Sequence, residues 1–267
     1  MRVIWAFMRA SWIQASSYRI RHVYSIAGLL FGIVPLFFIS KAIQPVAQPQ
    51  IGAEAGQYFA FVVVGMMAQF FLSDAVNAVP GAVGGSIGSG TFDTLVSVPT
   101  PLPVIYAGMS AYGFAWTIFR AFLTLGFAAL LGAHVAWDKA LMGLVILLLI
   151  VVAYLPFGLM SAALIVAFRT DGPLRSFVVL GSTLLGGVFW PTHVIPVELI
   201  QKLSAFVPLT YGLRALRQVI LLDAPVSGVL LDLATMMLFV VVLLPIGLLS
   251  LRAAFDYARR AGTLTQY

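Results

Sequence analysis

The sequence contains no cysteine. That excludes a disulfide framework, a thiolate nucleophile and any Cys-ligated metal or cluster, and it leaves the redox compartment open. Charge is scarce as well. Only 9% of the 267 residues are Asp, Glu, Lys or Arg, against roughly 25% in a soluble globular domain. So few charged side chains cannot clothe a water-facing surface of this size, and much of the surface must face lipid. No G-x-x-x-x-G-K-[ST] loop is present: the run Gly84–Gly90 is glycine-rich but lacks the lysine that would reach the β- and γ-phosphates. His22, His134 and His193 are scattered without a carboxylate or second histidine at ligand spacing, so no metal site is expected. No serine or threonine sits in a nucleophile elbow. The residues offer no catalysis of their own.

What is present is apolar length. Hydrophobic residues make up 61% of the chain, and six stretches reach or approach the roughly 20 helical residues that cross a bilayer. They lie near 25–43, 57–80, 103–132, 140–168, 174–190 and 226–251, the third and fourth joined by a tight hairpin at His134–Lys139. The expected class is an all-α integral membrane protein of six transmembrane helices in one domain covering 1–267. Arg9 interrupts the first apolar run after six residues, which does not fit a signal peptide. Residues 1–24 mix Trp5, Phe7, Met8, Trp12 and Ile13 with Arg2, Arg9, Arg19 and Arg21, the composition of a helix lying in the headgroup layer of membrane lipids.

The net charge of +6 is spread over many loops rather than massed on one face, so nucleic acid is not an expected partner. In a membrane protein such a surplus reflects orientation. With both termini cytoplasmic, Arg2, Arg9, Arg19, Arg21, Arg169, Arg175, Arg252, Arg259 and Arg260 fall inside. Lys41, Lys139, Lys202, Arg214 and Arg217 fall outside, and Arg120 lies within the third span. The bias favours a cell (inner) membrane protein with this orientation.

Two segments between spans are not ordinary loops. On the inner side, the glycines of Gly84–Pro103 precede Thr91, a plausible N-cap, and Asp93, placed to favour a helix dipole. Pro99, Pro101 and Pro103 follow. This predicts a flexible lead-in and a short helix over 92–98, whose Phe92, Leu95 and Val96 form an apolar knob suited to a partner's groove. On the outer side, Pro191, Pro196 and Pro208 divide Gly186–Ile220 into short amphipathic helices near 196–206 and 209–221. Helices that dip into the outer leaflet and return fit this pattern, provided protein buries their broken backbone.

The order of these features resembles the ABC-2 family of exporter permeases. Three pieces carry the likeness: Gly90-Thr91-Phe92-Asp93-Thr94-Leu95 followed by Pro99; Phe189-Trp190-Pro191 through Pro196 to Pro208-Leu209-Thr210-Tyr211 and Arg217; and the tail ending Gly262-Thr263-Leu264. Gly88 and Ser89 stand where the family often carries Glu and Arg, and Asp93 where Glu is usual. The resemblance implies a dimer of six-span subunits, most simply a homodimer. Each would dock through a coupling helix, here Thr91–Leu95, onto a cytoplasmic ABC ATPase subunit that binds ATP and magnesium. Trp190, Pro191, Pro196, Pro208, Tyr211 and Arg217 would form the outer gate.

Polar residues inside spans complete the candidates: Gln69, Asp74 and Asn77 in the second and Arg120 in the third. Stranding an ionisable group in lipid costs at least about 2.5–3.5 kcal/mol, so Asp74 and Arg120 above all are functional candidates, with a plain interhelical hydrogen bond as the alternative. Counting along antiparallel spans separates Asp74 from Arg120 by roughly 15 Å at 1.5 Å per residue, so no direct pair is expected, and Arg120 should face a dimer cavity or snorkel outward. Gly181, Ser182, Gly186 and Gly187 supply the small residues of a close helix contact, making the fifth span the expected subunit interface, with glycines that only ease a broken, re-entrant helix end as the alternative. Met66, Met67, Phe70 and Phe71 are candidates for a substrate path, with plain packing as the alternative. The functional expectation is an exporter permease moving a hydrophobic or lipid-linked substrate such as a drug, lipid or glycolipid. The alternative is an ATP-independent secondary transporter or channel.

Overall fold

The computed structural model describes residues 9, 12–13, 19–51, 57–91, 94, 102–168, 170, 172–192 and 197–260. They form eight α-helices and no strand: α1 (Arg19–Ile51), α2 (Tyr58–Gly88), α3 (Leu102–Leu130), α4 (Ala140–Phe168), α5 (Leu174–Leu185), α6 (Glu198–Ser204), α7 (Pro208–Leu221) and α8 (Leu230–Arg260). Short 3₁₀ turns at Trp137–Lys139 and Val226–Val229 lead into α4 and α8. Five helices, α1, α2, α3, α4 and α8, are long and apolar enough to cross a membrane.

The helix at the expected fifth span differs. It has 12 residues, roughly 18 Å at 1.5 Å per residue, short of the ~30 Å hydrocarbon core. It stops because Gly186 caps it and Gly187 turns to φ 81°, a left-handed backbone that glycine adopts without a Cβ penalty.

Several boundaries also move. The first span lengthens at both ends: Arg19–Tyr24, expected in an interfacial helix, are the first turns of α1. Of the preceding residues only Arg9, Trp12 and Ile13 are described, so the interfacial helix itself lies outside the described residues. The second helix does not end at residue 80. It runs through Pro80 to Gly88, so Gly84, Gly85 and Gly88 are helical rather than a flexible lead-in. Burial of Val79, Pro80 and Val83 among α3, α4 and α8 sustains this stretch, offsetting the missing proline N–H and the glycine penalty of about 1 kcal/mol per residue. The helix then closes at Gly90, φ 66°, with Thr91 N donating to Ser86 O at 2.9 Å and Gly90 N to Ile87 O at 3.0 Å. This is the 6→1 and 5→2 pattern of a Schellman cap.

The most buried span is α2. In its most apolar stretch 72% of residues are buried, against 17% in α1 and 22% in α8, so α2 forms the centre and the others surround it. It packs on α1, α3, α4, α5 and α7, while α4 packs on α8. The waist is tight because Gly158 of α4 faces the Ala75 carbonyl, where a Cβ would lie 2.8 Å away, and Gly247 of α8 faces Pro156, again at 2.8 Å. Two cores result. At the end carrying Tyr58 and Ala140, α7 fills the space among α2, α4 and α8. At the end carrying Gly88 and Phe168, Val83, Tyr106, Val166 and Phe255 join α2, α3, α4 and α8.

Candidate functional site

Gln69, Ser73 and Asn77 recur every four residues along α2, which places them on one face one turn apart. Opposite them stand Arg175, Ser176, Val179, Leu180 and Thr183 of α5, with Gly172 and Pro173 at its start. Together they line a cleft of about 480 Å³. The Asn77 amide bridges it: Nδ2 donates to the Ser73 carbonyl at 2.7 Å and to Ser73 Oγ at 3.3 Å, while Oδ1 accepts from Arg175 Nη1 at 3.3 Å. Thr183 Oγ1 donates back to the Val179 carbonyl at 2.7 Å. Of the intramembrane polar candidates, the structure brings Gln69 and Asn77 together here. Ser73, Arg175 and Thr183 escaped notice as site residues, although the four-residue spacing of polar side chains in an apolar helix was a usable signal for Ser73.

Asp74 lies one position on and faces α3 instead. Thr117 Oγ1 donates to Asp74 Oδ2 in a short contact. Arg120, one turn further along α3, lies over the Phe70 ring at 4.8 Å, one turn from Asp74 and close enough to act on its carboxylate electrostatically. The expected 15 Å offset is therefore corrected to about one helical turn of 5.4 Å. The cause is the true length of α2. Its continuation to Gly88 moves its midpoint toward Asp74, opposite Thr117 near the midpoint of α3. Arg120 and Asp74 form no ion pair, yet belong to one cluster. Met67 and Phe71 are buried, Phe70 lies under Arg120 and Met66 packs against the core, so none of these path candidates lines the cleft.

Above the cleft the broken end of α5 is clasped from α7. Helix α7 is amphipathic, and its Leu209, Leu213, Leu216 and Ile220 are buried. It begins beside the middle of α4, where Leu209 N donates to Tyr154 Oη at 3.3 Å. It ends at the α3–α4 hairpin, where Ala136 N donates to the Ile220 carbonyl at 2.9 Å. Arg217 is 2% exposed. Its Nη2 donates to the carbonyls of Gly187 at 2.8 Å, Val188 at 3.1 Å and Phe61 at 3.3 Å, and its guanidinium lies 3.3 Å from the centre of the Phe61 ring. The cation thus ties two carbonyls of the turn that follows α5 to one of α2, at the end of α5 whose dipole favours a cation. Gly65 makes the approach feasible: a Cβ there would lie 2.3 Å from the Val188 carbonyl oxygen. Tyr58 Oη adds a bond to the Phe189 carbonyl at 3.1 Å.

Around this clasp, Pro191 and Pro208 are buried and Trp190 is exposed, while Pro196 lies outside the described residues. The helices expected near 196–206 and 209–221 appear as α6 and α7. Tyr211 Oη donates to the Ala205 carbonyl at 3.0 Å, and Thr210 Oγ1 to the Ser204 carbonyl at 2.8 Å, fixing the corner between them. Arg214 engages both oxygens of Asp232, with Nε at 3.1 and 2.9 Å, and ties α7 to α8. Phe61, Gly65 and Asp232 carried no sequence signal, because their roles arise from what they meet.

Of the small residues in the fifth span, Ser182, Gly186 and Gly187 are buried within the chain. A Cβ on Gly186 would meet Leu209, and one on Gly187 would meet Thr192 and Trp190. Gly181 has open space beside it. The exposed side of α5 carries Phe177, Leu180 and Leu184.

Of the coupling segment, Gly90, Thr91 and Thr94 are described, while Phe92, Asp93, Leu95, Pro99 and the helix expected over 92–98 lie outside the described residues. Gly90 caps α2, as above. Thr91 Oγ1 donates back to the Ser86 carbonyl at 3.3 Å and meets Ser89 Oγ at 2.8 Å. At the other margin of α3, His22 Nε2 lies 3.1 Å from Tyr112 Oη, and Trp12 meets the Tyr112 ring edge-on at 5.7 Å. Trp12 and the start of α1 thereby contact α3.

A family model described as ABC-2 type transporter matches residues 2–221. No curated protein matches the chain.

Proposed function

The chain belongs to the ABC-2 type transporter family, and on that premise we propose that it is the permease subunit of an ATP-driven exporter. Membership makes it a multi-pass membrane protein and the membrane component of an ABC transporter, whose family generally works with an ABC ATPase. The proposal adds direction, cargo and assembly. The Gly88 end faces the cytoplasm, as the clustering of arginines in Arg2–Arg21, Arg169–Arg175 and Arg252–Arg260 favours, in the cell (inner) membrane. The chain crosses six times, with α5 and the clasped turn after it forming the fifth crossing, and two copies assemble.

A single observation carries the exporter reading. A polar cleft between α2 and α5 reaches as far as Thr183, and Arg217 holds the turn at Gly187–Val188 that follows α5. On the proposed reading the cleft is the binding chamber and the turn its gate. Cargo enters the cleft from the cytoplasm or inner leaflet. The partner ATPase binds ATP and magnesium and pushes on the segment after Gly90, covering Thr91–Leu95. The movement passes along α2 to Gly65 and Phe61, loosens the turn at Gly187–Val188, and releases a hydrophobic or lipid-linked cargo past α6 and α7. Copies meet along α5, where Phe177, Leu180 and Leu184 are exposed and Gly181 leaves room for close approach.

The absence of cysteine provides the test. A single cysteine at Asp93 (Asp93→Cys), carrying a crosslinker in native membranes, should capture a P-loop ATPase identified by mass spectrometry. If a well-expressed Asp93→Cys captures none where an established ABC pair crosslinks, the coupling assignment fails. The ATP-independent reading then gains, drawing on the Asp74–Thr117–Arg120 cluster within the spans.

A further inference from the structure

We propose that Asp74 and Arg120 form a binding site for a zwitterion: an ammonium and a phosphate carried by one molecule, such as an ethanolamine phosphate headgroup. The site lies on the α3 side of α2, one row from the cleft. Binding there requires neither an ATPase nor a second copy.

The two charges sit near the middle of the spans Tyr58–Gly88 and Gly108–Leu130, where an ionisable side chain is costly and marks a functional site. They are opposite in sign and about one helical turn of 5.4 Å apart, yet each is held away from the other. Thr117 Oγ1 donates to Asp74 Oδ2, and no described residue bonds Oδ1. The Arg120 guanidinium lies over the Phe70 ring at 4.8 Å. It makes no hydrogen bond to any described residue, and its Nε is buried without a partner among them. Phe70, Asp74 and Arg120 are each only half-buried, so the pair borders space outside the chain's own packing.

A carboxylate and a guanidinium with open bonding capacity, fixed on facing helices, are matched by a ligand carrying both opposite charges. An ammonium beside Asp74 holds the carboxylate ionised, and a phosphate beside Arg120 gains charge-assisted bonds. The two-carbon bridge of ethanolamine phosphate spans one helical turn. A ligand of single charge gains one partner and meets a like charge one turn away, which discriminates against it. In the orientation proposed above, Asp74 lies on the cytoplasmic side of Arg120. A lipid of the inner leaflet, whose amine lies outside its phosphate, therefore meets the two charges in the right order.

The test uses the purified chain in neutral detergent, with binding followed by native mass spectrometry. The probes are phosphatidylethanolamine, phosphatidylglycerol, dodecylamine and the soluble zwitterion glycerophosphoethanolamine. Phosphatidylethanolamine should bind about tenfold or more tightly than either singly charged amphiphile, as one charge-assisted bond implies. The order should then follow the charge that remains. Asp74→Asn should prefer phosphatidylglycerol, and Arg120→Gln should prefer dodecylamine. The double variant Asp74→Asn/Arg120→Gln, which strands no single charge in the span, should lose the preference for phosphatidylethanolamine. Arg252→Gln and Asp256→Asn, exposed charges on α8, should change nothing.

Equal binding of the three amphiphiles, or no binding, overturns the proposal. So do variants at Asp74 and Arg120 that weaken all probes alike without reordering them, which leaves the pair a structural one. If a single variant fails to fold by circular dichroism, the double variant decides. Displacement of the lipid by glycerophosphoethanolamine assigns the site to a soluble zwitterion, and failure to displace it assigns a lipid headgroup; the site stands in both cases. Capture of an ATPase at Asp93→Cys is a separate readout, so the exporter reading and this site fail independently.

Discussion

Two stretches of α2 are built differently. Around Phe61–Gly65 the helix is locked: α7 lies against it, Arg217 spans three carbonyls, and there is no room for a methyl group on Gly65. Around Gln69–Asn77 the same helix borders an open cleft, crossed by the hydrogen bond from Arg175 to Asn77. Local opening occurs where little apolar area is buried and the contacts are few. The cleft is thus where α5 can shift cheaply against α2, while the turn at Gly187–Val188 moves only when the Arg217 clasp is released. A transporter needs both properties, one region to accept cargo and one to resist leakage.

The largest effect expected from breaking this contrast is at Arg217. Arg217→Leu leaves the carbonyls of Phe61, Gly187 and Val188 without their shared donor. It should lower stability by about 3 kcal/mol or more, seen as a large drop in thermal midpoint in detergent. Gly65→Ala should cost about 1–3 kcal/mol by overpacking against Val188. Because it strains the same turn, combining it with Arg217→Leu should add less than the sum of the two losses. Asp232→Asn removes the ion pair with Arg214, whose side chain is 46% exposed. A loss of about 1 kcal/mol is expected, and smaller in high salt. At the cleft, Ser73→Ala with Thr183→Val should shift stability within about 0.5 kcal/mol while altering cargo-stimulated turnover of the ATPase. A stability loss there as large as at Gly65 would erase the distinction between the two stretches.

Much of the architecture was legible beforehand because it follows from hydropathy and backbone chemistry. Five long apolar runs became five long helices. A short amphipathic helix was expected near 209–221, and its face carrying Leu209, Leu213, Leu216 and Ile220 is buried. Span ends were less legible. Pro80 and three glycines look like an ending, yet packing on the α4–α8 waist carries α2 to Gly88. That error propagated, since the apparent 15 Å between Asp74 and Arg120 came from misplaced span centres. Arg217 could be singled out from its motif, but its partners could not: two are backbone carbonyls in a turn about thirty residues away.

The amino-acid sequence by itself determined that this protein lives in a membrane and that its backbone pairs within helices. Water and lipid impose those outcomes residue by residue, through the cost of exposed apolar area and of unpaired N–H and C=O groups. Only the tertiary structure decided which polar residues share a cleft, that Asp74 meets Thr117 rather than Arg120, and that Arg217 clasps the end of α5. Those outcomes depend on the register between helices. Register is set by side-chain volumes and close glycine contacts such as Gly65 and Gly158, which acquire meaning only once the opposing surface is in place.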